Sequence, residues 1–121
     1  MRNDRENVIV DLTFQFALKM IAFTEKLEEE RKYVISRQLL QSGTSIGANV
    51  REAQNAESKA DFIHKLKISA KEADETQYWL GLCQHAESYP FDASLMDDIE
   101  VIIKVLSKII ASSKRPKGMK F

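Results

Sequence analysis

Helix breakers are scarce in this chain, and they sit where helices would have to end. The 121 residues hold two prolines, Pro90 and Pro116, and four glycines. An all-β fold needs frequent tight turns and would use far more of both. Between the breaks, apolar residues recur at three-, four- and seven-residue spacing, the period of a helix with one buried face.

Four segments show this period. The first covers about 6–29, with Ile9, Leu12, Phe16, Phe23 and Leu27 on one face. Its end is marked only by loss of apolar phase in the charged run Glu25 to Lys32, which has no Gly or Pro. The second covers about 32–56, with Ile35, Leu39, Ile46, Val50 and Ala53 in register. Gly43 and Gly47 lie on the same side, four apart. Each costs about 1 kcal/mol against Ala in a helix, and close approach of a neighbouring helix is the usual offset. The third covers 59–88. It opens at Ser58-Lys59-Ala60-Asp61, which resembles a capping box, and carries Phe62, Leu66, Ala70 and Ala73 on one stripe. Tyr89-Pro90 ends it, because proline pushes the residue before it out of the helical region. The fourth covers 93–113, capped by Asp92 or Ser94 and stopped by Pro116. Four such helices with short links predict one all-α domain over 1–113, an antiparallel up-down-up-down four-helix bundle, followed by a basic tail at 114–121.

The fourth segment has more apolar surface than a bundle core requires. At 100° per residue, Ile99, Ile102, Ile103, Val105, Leu106, Ile109 and Ile110 with Val101 span an arc of about 200°, where a core-facing stripe needs a little over 100°. The excess predicts a second burial surface, most simply another copy of the chain. A helix packed deeply among the other three is the alternative.

The formal net charge is zero, but the charges are segregated. Residues 1–30 carry net −3, 31–71 net +5, 72–100 net −8 and 101–121 net +6. A uniformly basic nucleic-acid binder is excluded, while one basic face beside an acidic one is not. Candidate phosphate contacts are Arg51, Lys59, Lys65, Lys67, Lys71, Lys114, Arg115 and Lys117, with Lys104 and Lys108 nearby in sequence. No interleaved aromatic residues accompany them, so binding without strong sequence preference is the form expected. An ordinary solvated face is the competing reading. The acidic stretch would suit a protein partner.

Signals for catalysis are missing. One cysteine, Cys83, excludes an internal disulfide framework and a cysteine zinc site, and its apolar surroundings suit an inert thiol. A di-iron bundle needs two Glu-x-x-His motifs; the nearest match is Asp61 with His64, and His85 has no acid three residues before it. No phosphate loop, nucleophile elbow or zincin motif occurs. The expected protein is not an enzyme and needs no cofactor. The longest uncharged run, Gln38 to Val50, has 13 residues, short of a bilayer span. The residues after Met1 lack the apolar core of a signal peptide. A soluble, cytoplasmic protein is the expectation.

One stripe of the second helix is unusual. Ser42, Ser45, Asn49 and Glu52 line the edge of its apolar face. Ser and Asn compete for backbone hydrogen bonds inside helices. A buried polar network that fixes register is the favoured reading, and a ligand or subunit contact the alternative.

Three runs resemble one family. They are Gln38 to Ala53, centred on Ser45-Ile46-Gly47-Ala48-Asn49-Val50-Arg51-Glu52; Ser58 to Leu66; and Lys71 to Leu80. Together they resemble bacterial four-helix-bundle proteins encoded in intervening sequences of 23S ribosomal RNA genes, relatives of the accessory variability proteins of diversity-generating retroelements. Gly47 stands where the family often has proline. The resemblance implies an antiparallel bundle assembling into a ring, typically a pentamer, with nucleic-acid binding through basic surface. In the retroelement relatives it implies a reverse transcriptase as partner. Ser45, Asn49, Glu52 and Phe62 match family-typical positions and read as structural.

Overall fold

The computed structural model describes residues 8–115. They form α1 (Val8–Glu29), α2 (Tyr33–Ala53), α3 (Lys59–His85) and α4 (Ala93–Ser113), with no strand among the described residues. The expected start of the first helix at Glu6, and the tail from Pro116 onward with Lys117, lie outside the described residues. α2 stops at Ala53, before the expected 56, and α3 at His85, before 88.

Each helix packs on its neighbours in a closed order: α1 on α2, α2 on α3, α3 on α4 and α4 on α1. The backbones of diagonal pairs do not approach closely among the described residues. Cross-contacts show the sense of each pair. Going up α2, Ser36 meets Thr24, Gly43 meets Met20 and Gly47 meets Thr13, so α1 and α2 are antiparallel. Glu52 with Lys65, Ile46 with Ser69 and Ser42 with Thr76 give the same result for α2 and α3. Lys19 pairs with Asp98, while Ile9 and Ile109 border one hollow. The start of α3 lies beside the end of α4.

The core fills the centre from all four helices. Phe16, Met20 and Leu27 of α1, Leu39 and Ile46 of α2, Leu66 and Leu80 of α3, and Ile99, Ile102 and Leu106 of α4 are almost wholly inaccessible. Each such side chain contributes roughly 1.5–3 kcal/mol by leaving water. Both helical glycines of α2 mark the close approach of α1. A Cβ on Gly43 would stand 2.6 Å from Met20 Cγ, and one on Gly47 3.3 Å from the Thr13 carbonyl oxygen.

Caps explain the helix ends. Ser58 Oγ accepts from the Asp61 amide at 3.0 Å, the first half of a capping box. The Asp61 carboxylate returns to the Glu57 amide at 3.2 Å instead of to Ser58. Asp92 caps α4 by accepting from the Ser94 amide at 2.9 Å. Between α1 and α2, Lys32 N–H donates to Leu27 O and Arg31 N–H to Glu28 O, the two bonds of a Schellman motif. Its left-handed position, usually glycine, is Arg31 with φ of 65°.

Candidate nucleic-acid interface

Antiparallel pairing brings the basic start of α3 and the basic end of α4 to one end of the bundle. Lys59 Nζ donates to the Arg115 carbonyl at 3.0 Å. Lys59 and Lys108 border the same hollow. Lys67 and Lys114 stand side by side, and that neighbouring ammonium, by hydrogen bonding and then by charge, holds Lys67 below the usual lysine pKa. Lys71 follows Lys67 by one turn and shares its face. Among the described residues only Lys19–Asp98 at 2.6 Å and Lys65–Glu52 at 2.9 Å form ion pairs. Lys59, Lys67, Lys71, Lys108 and Lys114 therefore face solvent without a carboxylate partner.

Two sequence candidates belong elsewhere. Lys65 points to α2, where Glu52 accepts its hydrogen bond and raises its pKa. Arg51 lies toward α1, on a groove lined by Val10, Phe14 and Ala48. Neither adds to the α3–α4 cluster. The acidic side chains of 72–100 lie on the other half of α3 and α4, toward the turn between them.

The polar stripe of α2 divides. Ser42 is buried and its hydroxyl shares a hydrogen bond with that of Thr76 at 2.9 Å; with the single Thr76 hydrogen given to Glu72 O, Ser42 is the donor of that pair. Ser45 donates to Gln41 O of its own helix, and Asn49 to Ser45 O. Glu52 is exposed and holds Lys65. Phe62 is half-buried against the core. The other buried polar contacts between helices come from residues outside that stripe: Ser36 Oγ donates to Thr24 O, and Ser69 Oγ to Ile46 O, each at 2.9 Å.

The surplus apolar surface is not where the width of the α4 stripe placed it. On α4 only Val101, 49% accessible, is an exposed large apolar residue; Ile103, Val105, Ile109 and Ile110 are half-buried. α4 packs against both α1 and α3, which consumes the wide arc. The uncovered stripe is on α1, where Phe14, Leu18 and Ile21 are 50, 48 and 44% accessible. Spacings of four and three put them on one face. Leu40 and Ala48 continue it onto α2.

Cys83 is buried, and burial pushes its thiol up to about 11. No group of three or more His, Cys, Asp or Glu side chains able to hold a metal occurs among the described residues. No helix among them is long and apolar enough to cross a membrane.

Comparison with known proteins gives a consistent relationship. A crystal structure of a protein of unknown function from the S23 ribosomal protein family of Bacteroides thetaiotaomicron VPI-5482 is similar, with TM-score 0.81 and 45% identity, covering 85% of this chain and 98% of that one. No curated protein matches. The model of the 23S rRNA-intervening sequence protein family matches residues 5–111. With that match over most of its length, the chain belongs to the 23S rRNA-intervening sequence protein family.

Proposed function

We propose that this chain is a non-enzymatic, homo-oligomeric bundle that binds RNA or DNA weakly through the α3–α4 cationic surface. The observation that supports it is the crowding of lysines there: Lys114 lies close enough to Lys67 to lower its pKa, and neither forms an ion pair with a described residue. Such a pair is relieved by an anion, and a phosphate backbone supplies anions in series. The apolar stripe of α1 supplies the self-association surface, since contiguous exposed apolar area marks contacts. A ring, with five copies as its expected number, would repeat the cationic surface around an axis and multiply its field. We place this assembly in the cytoplasm.

Five lysines contacting a single strand give a slope of log K against log salt of about −3.5, or about a 100-fold loss from 50 to 200 mM salt. Fluorescence anisotropy with mixed-sequence RNA and DNA tests this. No binding even at low salt removes the proposal. The α1 stripe also favours a second reading, a scaffold that holds another protein such as a reverse transcriptase without touching nucleic acid. Affinity capture from the native host separates them: a protein partner recovered by a chain that shows no nucleic-acid binding favours the scaffold.

A further inference from the structure

At the basic end of the bundle the four helices leave a hollow of about 730 Å³, within the roughly 300–1,000 Å³ of small-molecule sites. Its floor is apolar and drawn from three helices: Ile9 and Leu66 are buried, while Phe62, Val105 and Ile109 are half-buried. Its rim is cationic, with Lys59 and Lys108 and no carboxylate among the described lining residues. Lys59 gives one ammonium hydrogen to the Arg115 carbonyl and keeps two. Lys108 has no ion-pair partner among the described residues.

We propose that this hollow binds a linear amphipathic monoanion, a medium- or long-chain fatty acid. The alkyl tail lies on the accessible faces of Phe62, Val105 and Ile109, and the carboxylate takes hydrogen bonds from Lys59 and Lys108. Charge decides the class. Gln54, Ser58, Ser112 and Ser113 add neutral polar groups to the lining, but the apolar side chains of Phe62, Val105 and Ile109 leave the base and sugar of a nucleotide against surface that cannot hydrogen-bond. An acid-free cationic rim rejects a cationic amphiphile. A neutral alcohol fills the floor but leaves both ammonium groups unanswered. The site goes beyond nucleic-acid binding and does not depend on it, although Lys59 and Lys108 border both surfaces.

Calorimetric titration of the full chain with octanoate, nonanoate and decanoate, all below their micelle concentrations, tests the proposal. Saturable binding at one ligand per chain is expected, tightening about 4-fold per added methylene, the equivalent of about 0.8 kcal/mol. Decanoate should bind about 10-fold more tightly than decanol, the scale of a charged hydrogen bond, and decyltrimethylammonium should not bind. Lys59→Gln with Lys108→Gln should erase the difference between decanoate and decanol while leaving decanol unchanged. Both substitutions are on exposed lysines, and the wild-type ligand series decides the matter without them. No saturable binding of decanoate, or equal affinity for decanol in the wild-type chain, overturns the proposal.

Discussion

Gly43→Ala and Gly81→Ala make the same chemical change in two helix interiors, and only the second should stabilise the chain. Replacing glycine by alanine in a helix gains about 1 kcal/mol when nothing opposes it. At Gly81 a new Cβ meets nothing within 4 Å, so Gly81→Ala should raise stability by about that amount. At Gly43 the new Cβ falls 2.6 Å from Met20 Cγ, with Met20 Sδ at 3.3 Å. Met20 is wholly buried, so its side chain must shift inside a filled core or the helices must part. Overpacking of this kind costs typically 1–3 kcal/mol. Gly43→Ala should therefore be neutral to about 2 kcal/mol destabilising, and the two variants should differ by about 1–3 kcal/mol. Urea unfolding followed by circular dichroism at one fixed protein concentration reads the difference, since the proposed self-association would make stability concentration-dependent. Met20→Ala costs about 2–5 kcal/mol alone. Combined with Gly43→Ala it should cost less than the sum, because the added methyl enters space the methionine has vacated. Equal stabilisation by both glycine substitutions would refute the close packing of α1 on α2.

Other consequences are as direct. Arg31→Gly should stabilise the chain by about 1 kcal/mol, because Arg31 holds a left-handed conformation that costs a non-glycine residue about 1–2 kcal/mol; thermal melting checks it. Asp92→Ala should cost about 1 kcal/mol by removing the α4 cap. The Ser94 hydroxyl and amide hold the Asp92 carboxyl below its ordinary pKa of 3.8. Its contribution is therefore complete above that value and lost as pH falls through the folded pKa, a loss that acid titration of the Ala variant should lack. Cys83, with a thiol pKa of about 11 in place of 9.0, should resist alkylation at pH 8 in the native chain and react in urea. Its raised pKa means that stability falls between pH 9 and 11, where the unfolded thiol ionises first. Thr76→Val should cost about 1–2 kcal/mol by stranding the buried Ser42 hydroxyl, read as a shift in the urea midpoint.

Much of the bundle was legible because apolar period reports burial directly. Phe16, Leu39, Ile46, Leu66 and Ile99 were each placed on a core face by spacing alone. The first turn of α3 was visible as Ser58 and Asp61. The α1–α2 break was hidden, because the Schellman motif there uses Arg31, and no local rule announces an arginine with positive φ. Stripe width measured how apolar α4 is, but not that two neighbours would cover it, so the exposed stripe of Phe14, Leu18 and Ile21 on α1 went unnoticed. The polar contacts between helices were partly misplaced for the same reason. Ser36 and Ser69 look like ordinary serines until the facing carbonyls of Thr24 and Ile46 are known. The cationic surface depends on pairing across the fold as well. Lys67 and Lys114 are remote in sequence and adjacent in space, while Lys65, near Lys67 in sequence, turns to α2 and is neutralised by Glu52.

The salt dependence of RNA binding bears most directly on the proposed cationic surface. The measurement is anisotropy of a labelled mixed-sequence single strand from 50 to 200 mM salt, for the wild-type chain, Lys67→Gln with Lys114→Gln, and Lys65→Gln. The wild-type slope should be about −3.5, the double variant should lose about 1.4 of it, and Lys65→Gln should lose almost none. A flat wild-type slope, or a loss per charge at Lys65 equal to that at Lys67 and Lys114, would contradict it.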